Sequence, residues 1–414
     1  MNRIISFLFA LIISFTATAQ INVRVMHYNL LQFGNSCDGV SISDKYNWLG
    51  TVLNEYRPHL FTVNELSPNI VYANGIKALS FDYTNDIANS TITNNTGSQI
   101  VNMLFYDSNI FELTGNEVIS GSLRDINVYH LYVKETAQNN DTSFLDLIVA
   151  HFKAGNGGSD AVQRENSAIS IMNYIQAKGQ GKNILVMGDF NIYDNTEAAF
   201  QQMVFNSNSN ISLVDPAGKQ NGWFGASNVG VLTQSTRSNS PDCGSGGGLD
   251  DRFDMILASK AIMGDSAGIK YVDNSYASFG NGSNSFNQEL ACTGNVVPLN
   301  VCIALKQMSD HLPVVLELQL SGVTSLEKKL ELAGVNLYKL PYSTDQSIDI
   351  QVSIKEPKSE NLTLEAWNLL GQKLYKKDIP FQTQTVQLPL SQEANGAYFI
   401  RLSDKNGRSQ WLKI

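Results

Sequence analysis

The chain has 414 residues, 43% of them hydrophobic and 16% charged, which is enough apolar sequence for one large domain and a smaller one and excludes a chain too polar to fold. Of its 29 basic and 38 acidic residues, 12 and 10 lie from Ser321 onward, leaving 17 against 28, a net of −11, in the first 320 positions. That balance excludes a standing cationic surface for a polyanion, so a phosphodiester substrate would need a bound divalent cation to offset the repulsion.

In chain order, Arg3, the apolar run "IISFLFALIISF" and the small residues Ala17 and Ala19 read as a signal peptide over residues 1–19. The expectation is an exported protein without stable membrane insertion. "INVRVMHYNLL" reads as a strand, "SDKYNWLGTVLNEY" as a helix with Ser43 as its N-cap and Leu49, Val52, Leu53 and Tyr56 on one face, and "HLFTVNEL" as the next strand. Further strands are expected in "IVNMLFY", "VYHLYVKE", "FLDLIVAHF", "NILVMGDF", "RFDMILAS" and "HLPVVLELQL". A second helix is expected in "SDAVQRENSAISIMNYIQAKG", with Ile169, Met172 and Ile175 at helical spacing and Gly179 as its end. Several strands are apolar on both faces, as central strands are. The fold class is α/β or α+β, with two packed sheets and helices outside over residues 20–320. Residues 321–338 read as a linker, and 339–414 as a small all-β sandwich.

Four cysteines, Cys37, Cys243, Cys292 and Cys302, allow two disulfides in an exported chain with three connectivities; Cys292 and Cys302, flanking a proline-containing loop, form the easier pair.

Polar residues cluster at the ends of the expected strands. Asn29 closes the first, Glu65 the second, His151 the strand "LDLIVAH", and Asp189 with Asn191 the strand in "NILVMGDFN". Gly188 reads as a turn that lets the last two project. Asp310 and His311 stand at the start of the final strand, so an antiparallel course would bring them to the same rim. Such a rim is where open α/β sheets bind ligands. Carboxylates there suit Mg²⁺, Mn²⁺ or Ca²⁺ more than zinc, and a paired His and Asp supply proton transfer near neutral pH. Such a set suits hydrolysis of a phosphate ester. Singly, each is more often a turn or core residue, and His27, His59 and His130 are read as core groups.

The ordered set "HYNLL", "TVNEL", "IVAHFKA", "MGDFN", "RFDMIL" and "SDHLPV" resembles the endonuclease/exonuclease/phosphatase superfamily across roughly residues 21–320. The resemblance implies a four-layer αββα sandwich and a metal-dependent phosphoesterase. It implies Glu65 as main Mg²⁺ ligand with Asn29 and Asp310 near it, and Asp189 and His311 orienting and deprotonating water. It further implies Asn191 as a donor to developing charge, His151 as phosphate contact or acid, and Asp254 as the carboxylate that fixes the histidine tautomer. Family members often carry Gln where this chain has Asn64; Tyr106, Arg124 and Arg237 are candidates for holding phosphate. The tail, with "LEAWNLLGQKLY" and "NGAYFIRLSDKNGRSQWLKI", resembles the type A sorting domain of the type IX secretion system, implying export through that machinery to the medium or cell surface. A sandwich for carbohydrate or protein binding is the alternative there.

The leading expectation is a secreted, monomeric phosphodiesterase acting on extracellular nucleic acid, DNA foremost. A sphingomyelinase-like or inositol-phosphate hydrolase is the alternative, with Tyr271, Tyr276, Phe279 and Phe286 as a membrane-touching hairpin. A catalytically inactive binding module is the second.

Overall fold

The computed structural model describes residues 21–320 and 335–413, apart from 36, 38–39, 80–85, 121–122, 135–142, 241–242, 265–267, 283–285, 340–346, 369–372, 390–397 and 405–408. The expected signal peptide and most of the expected linker therefore lie outside the described residues.

Two β-α units begin the fold: β1 (Ile21–Phe33), α1 (Ile42–Tyr56), β2 (Leu60–Leu66) and α2 (Ile70–Ala78). Strands β3 (Ile87–Asn89), β4 (Val101–Asp107), β5 (Phe111–Ile119), β6 (Ile126–Val133) and β7 (Phe144–His151) follow, then α3 (Gly158–Lys178), β8 (Asn183–Asp189) and α4 (Ala198–Val204). The unit closes with β9 (Asp254–Ala258), α5 (Lys260–Gly264), β10 (Ile269–Tyr271), β11 (Ala277–Ser278), α6 (Leu299–Met308) and β12 (Val314–Leu320).

One sheet has the order β10-β12-β1-β2-β4-β3, with β11 also on β12; the other has the order β5-β6-β7-β8-β9. Alternation along each strand assigns its two faces to different cores. Val23 and Val25 of β1 meet Leu147, Val149, Leu185 and Met187 of the second sheet in a core between the sheets. Met26 and Tyr28, on the opposite face of β1, pack against Leu49, Val52 and Leu53 of α1 and Leu305 of α6. On the far side, Ile148 and Val186 pack under Ala168, Ile171 and Ile175 of α3 and Phe200 of α4. The result is four layers, helix, sheet, sheet, helix.

Local details differ from the sequence reading. Helix α1 is capped by Ser41, whose Oγ accepts the Asp44 amide, two residues ahead of the expected Ser43. The buried stripe of α3 runs through Arg164, Ala168, Ile171 and Ile175, and Ile169 is only half-buried. Gly188 is not a turn. It sits inside β8 opposite Ala150, where a Cβ would lie 1.9 Å from the Ala150 carbonyl oxygen, so only glycine lets the two strands approach. The disulfides are Cys37–Cys243 and Cys292–Cys302.

The tail contains β13 (Val335–Lys339), β14 (Ile348–Ile354), β15 (Asn361–Asn368), β16 (Lys373–Pro380), β17 (Gln384–Leu388), β18 (Tyr398–Ser403) and β19 (Ser409–Lys413). Sheets β13-β14-β17 and β16-β15-β18-β19 enclose one apolar core, a small sandwich. Strand β13, which begins inside the stretch read as linker, pairs with β14.

Candidate active site at the sheet rim

Parallel pairing brings strand ends together. β1 runs parallel to β2, and β7 parallel to β8 with His151 directly opposite Asp189. Asp189 is in turn opposite Asp254 at the start of antiparallel β9, so three polar side chains stand abreast on the inward face of one sheet. β12 runs antiparallel to β1, with His27 opposite Val314, which carries Asp310 and His311 to the end of β1 where Asn29 lies. All eight expected residues reach one rim.

Glu65 needs an extra device. Along β2, Phe61 and Val63 face the helix layer, so strict alternation would send Glu65 there too. Its φ of +59° reverses the parity, turning the carboxylate to the rim and Leu66 back into the helix-side core. Across the strand, Leu31 and Gln32 have φ of +46° and +54°, and the β1–β2 register shifts between Asn29 and Phe33. Positive φ at non-glycine residues is costly and gathers at functional sites. Asn191, at φ +50°, belongs to the same group, although asparagine tolerates it well.

The side chains form one connected set. Asn29 Nδ2 donates to Glu65 Oε1 at 3.2 Å and to Asp189 Oδ2 at 3.0 Å, so a single amide joins carboxylates from the two sheets. His151 Nε2 lies 3.8 Å from Glu65 Oε1 and 3.5 Å from Asp189 Oδ2. His311 Nε2 lies 3.7 Å from Asp189 Oδ2, while its Nδ1 is 2.6 Å from Asp254 Oδ2. Asp310 Oδ2 accepts the Ser245 amide at 2.7 Å and the Gln234 side-chain amide at 3.2 Å. Asp189 Oδ1 accepts the Asn191 amide at 3.1 Å, and Asn191 Nδ2 donates to the Phe152 carbonyl at 3.4 Å. Phe190, between them, is fully buried on the opposite face against Phe152, as strand alternation requires.

Negative charge is concentrated here beyond what the local hydrogen bonds balance. Burial raises Asp189 to about 7, with His311 working against the rise and Asp254 and Glu65 adding to it. Glu65 is also raised, by burial first and then by Asp310. Burial opposes charge on His311, yet Asp254, Asp189 and Asp310 outweigh it and hold the imidazole well above its ordinary value. His151 is driven well below its ordinary value by burial and by Arg124. Among the described residues Asp310 Oδ1, Asp254 Oδ1 and His151 Nδ1 are buried without a hydrogen-bond partner. Buried acids with an orphaned oxygen fit a hard divalent cation between Glu65 and Asp310. Asp189, Asp254 and His311 also bring ligand-type atoms within 4.8 Å of one another. There the short Asp254–His311 hydrogen bond already occupies Nδ1, so that trio has the form of a proton relay.

The sequence reading missed several participants. The Gln234 amide lies 2.7 Å from His311 Nε2 as well as bonding Asp310, and the Cys37–Cys243 disulfide anchors the segment bearing Ser245 next to β1. Asn64 Oδ1 accepts the Asp189 amide at 2.8 Å and lies 3.1 Å from His27 Nε2, so the departure at Asn64 and the core reading of His27 meet in one link between the sheets. Arg124 donates to the carbonyls of His151 and Phe152 at 3.4 and 3.2 Å, and Glu65 and Asp189 both act on its charge. Arg124, on a loop before β6, was not missed: it is one of the three residues that the sequence offers for holding phosphate. His130, read as a core group, is buried with its Nδ1 2.7 Å from Asp146 on the neighbouring strand.

Residues 341–414 match the family model described as Secretion system C-terminal sorting domain. No curated protein matches the chain. Among solved structures, the chain is similar to an endonuclease/exonuclease/phosphatase family protein from Bacteroides thetaiotaomicron at 14% identity and TM-score 0.47, covering 73% of this chain and 99% of that one. It is similar to another such protein from Bacteroides vulgatus at 14% identity and TM-score 0.48, covering 73% and 100%. It is also similar to truncated Caenorhabditis elegans TDP2 at 16% identity and TM-score 0.46, covering 72% and 98%.

Proposed function

We propose that this chain is an exported, divalent-metal-dependent phosphodiesterase of the endonuclease/exonuclease/phosphatase type, acting on extracellular nucleic acid, with DNA as the substrate we assign. The observation that carries the reading is the Asn29 amide joining Glu65 and Asp189 across two sheets, with the His311–Asp254 pair on the same Asp189 carboxylate. The sorting tail supports export by the type IX machinery to the medium or cell surface.

In this reading Glu65 and Asp310 hold the ion, and Asn29 fixes the Glu65 carboxylate from the side. Mg²⁺ is the ion we assign, with Mn²⁺ and Ca²⁺ as alternatives, and when bound it acts as a Lewis acid and charge clamp on the phosphate. Asp254 holds His311 so that Nε2 faces Asp189, and the Asp189–His311 pair takes up the proton of the attacking water. Asn191 donates to the charge that develops on phosphorus-bound oxygen. His151 contacts the phosphate, and Arg124, beside the same carboxylates, adds a cation on the approach.

The lipid reading loses its motivating feature. Tyr271 is buried, its hydroxyl accepts the Tyr276 amide at 3.2 Å, Phe279 packs on Tyr56, and Phe286 packs beneath the α3 layer. An inactive module would lack members of the set, and the sequence carries every one of them. The test is hydrolysis of plasmid DNA, RNA and sphingomyelin vesicles with and without EDTA. Cleavage of DNA that EDTA abolishes and Mg²⁺ restores is expected; chelator-resistant cleavage would overturn the metal-dependent mechanism.

A further inference from the structure

Lys45 occupies a position where its residue type is unexpected. It heads the buried stripe of α1, one turn before Leu49, and is 3% exposed. A buried ammonium is costly unless its hydrogens are matched. Its Nζ donates to the carbonyl of Leu30 at 2.9 Å and to the carbonyl of Leu31, with the Phe33 ring 6.0 Å away.

The same two peptide groups are bonded at their other ends to the site. The Leu30–Leu31 peptide offers its oxygen to Lys45 and its N–H to Asn29 Oδ1 at 3.0 Å. The Leu31–Gln32 peptide offers its oxygen to Lys45 and its N–H to Glu65 Oε2 at 2.9 Å. Leu31 and Gln32 both have positive φ, a conformation the chain avoids unless its surroundings enforce it. A cation on each carbonyl supplies that enforcement and also polarises each N–H toward its acceptor.

We infer that Lys45 is a positioning residue: through two bridging peptide groups, its ammonium sets the orientation of Asn29 and Glu65 and so builds the cation-binding rim. This rests on the phosphodiesterase reading for its functional consequence. The structural consequence stands apart from it.

Lys45→Met removes the ammonium and keeps an unbranched chain. Expected are faster amide exchange at Leu31 and Gln32, at least tenfold weaker Mn²⁺ binding measured without substrate, and a hydrolysis rate lower by a similar factor. Adding Gln32→Gly is expected to recover at least threefold of the Mn²⁺ affinity, because glycine takes φ near +54° without steric cost. Unchanged exchange and affinity in Lys45→Met would overturn the inference. So would a loss that Gln32→Gly does not recover, or a Lys45→Met protein whose folding it does not restore, since either marks Lys45 as core packing. A wild-type protein that cleaves no phosphodiester would instead refute the functional reading, with exchange still deciding the role of Lys45.

Discussion

The chain contains two β-sandwich cores that handle buried charge in opposite ways. In the tail, Glu365 is buried, and Arg401 at 2.6 Å and Lys373 at 2.9 Å neutralise it, so its carboxyl is held below the usual range although burial alone would raise it. At the rim of the larger unit, Glu65 and Asp189 are buried among other acids and held above it. Backbone follows the same division: β14 buries every second residue without interruption, whereas β1 and β2 reverse their parity through three positive-φ residues. Matched charge on regular strands suits a structural module, and unmatched charge on distorted strands is what the proposed cation site would require.

The strongest way to break this comparison is to remove a rim acid. Asp189→Ala is expected to lower phosphodiester hydrolysis on the order of 10³-fold. Its thermal midpoint should hold or rise, because a buried, poorly compensated charge is lost. A variant with near wild-type rate would remove Asp189 from the chemistry.

The next effect is steric. Gly188→Ala places a methyl against the Ala150 carbonyl, and denaturant titration should show a loss of about 3 kcal/mol or more, with activity lost alongside because His151 and Asp189 follow directly on the two strands. A neutral result would show that β7 and β8 separate easily.

In the tail, Arg401→Ala leaves Glu365 with Lys373 alone, and a loss of about 3 kcal/mol confined to the sandwich is expected. The hydrolysis rate should not change. A matching fall in rate would mean that the two units are energetically linked.

The smallest effect concerns acid. His59 accepts the Arg24 amide on Nδ1 at 2.9 Å, and burial together with Arg24 lowers it to about 4, with Asp107 acting in the opposite sense. Its folded pKa is below the unfolded one, so the unfolded chain binds the extra proton first. Stability is retained above about 6.5 and falls as pH drops toward 4, by roughly 1–2 kcal/mol after allowing for partial exposure. His59→Gln, which can still accept the amide, should flatten that slope in melts from pH 7 to 4.

The strands of the rim were legible because continuous apolar runs such as "LDLIVAH" and "NILVMGD" end abruptly in polar residues. Sequence order shows where each strand stops, and parallel pairing then does the gathering. The Ser41 cap was misplaced because two serines stand close together before the helix, and only backbone geometry distinguishes them. Gln234 and Ser245 lie on loops, where no periodicity marks a residue that reaches a distant side chain. Lys45 was hidden for the opposite reason: a lysine at the head of an amphipathic helix reads as solvated, and only the folded structure shows the two carbonyls of the neighbouring strand that hold it.

By itself the sequence determined the two-part division, the alternation that builds each sheet, and the acids, amides and histidines placed where strands run out. Those are local properties, set by side-chain periodicity and turn chemistry along a few residues at a time. Tertiary structure alone decided that Glu65 faces the rim, that one asparagine amide joins both sheets, and that an ammonium from α1 holds the distorted strand. Each of these depends on backbone conformations that are unfavourable in isolation and persist only because groups far apart in the chain close around them.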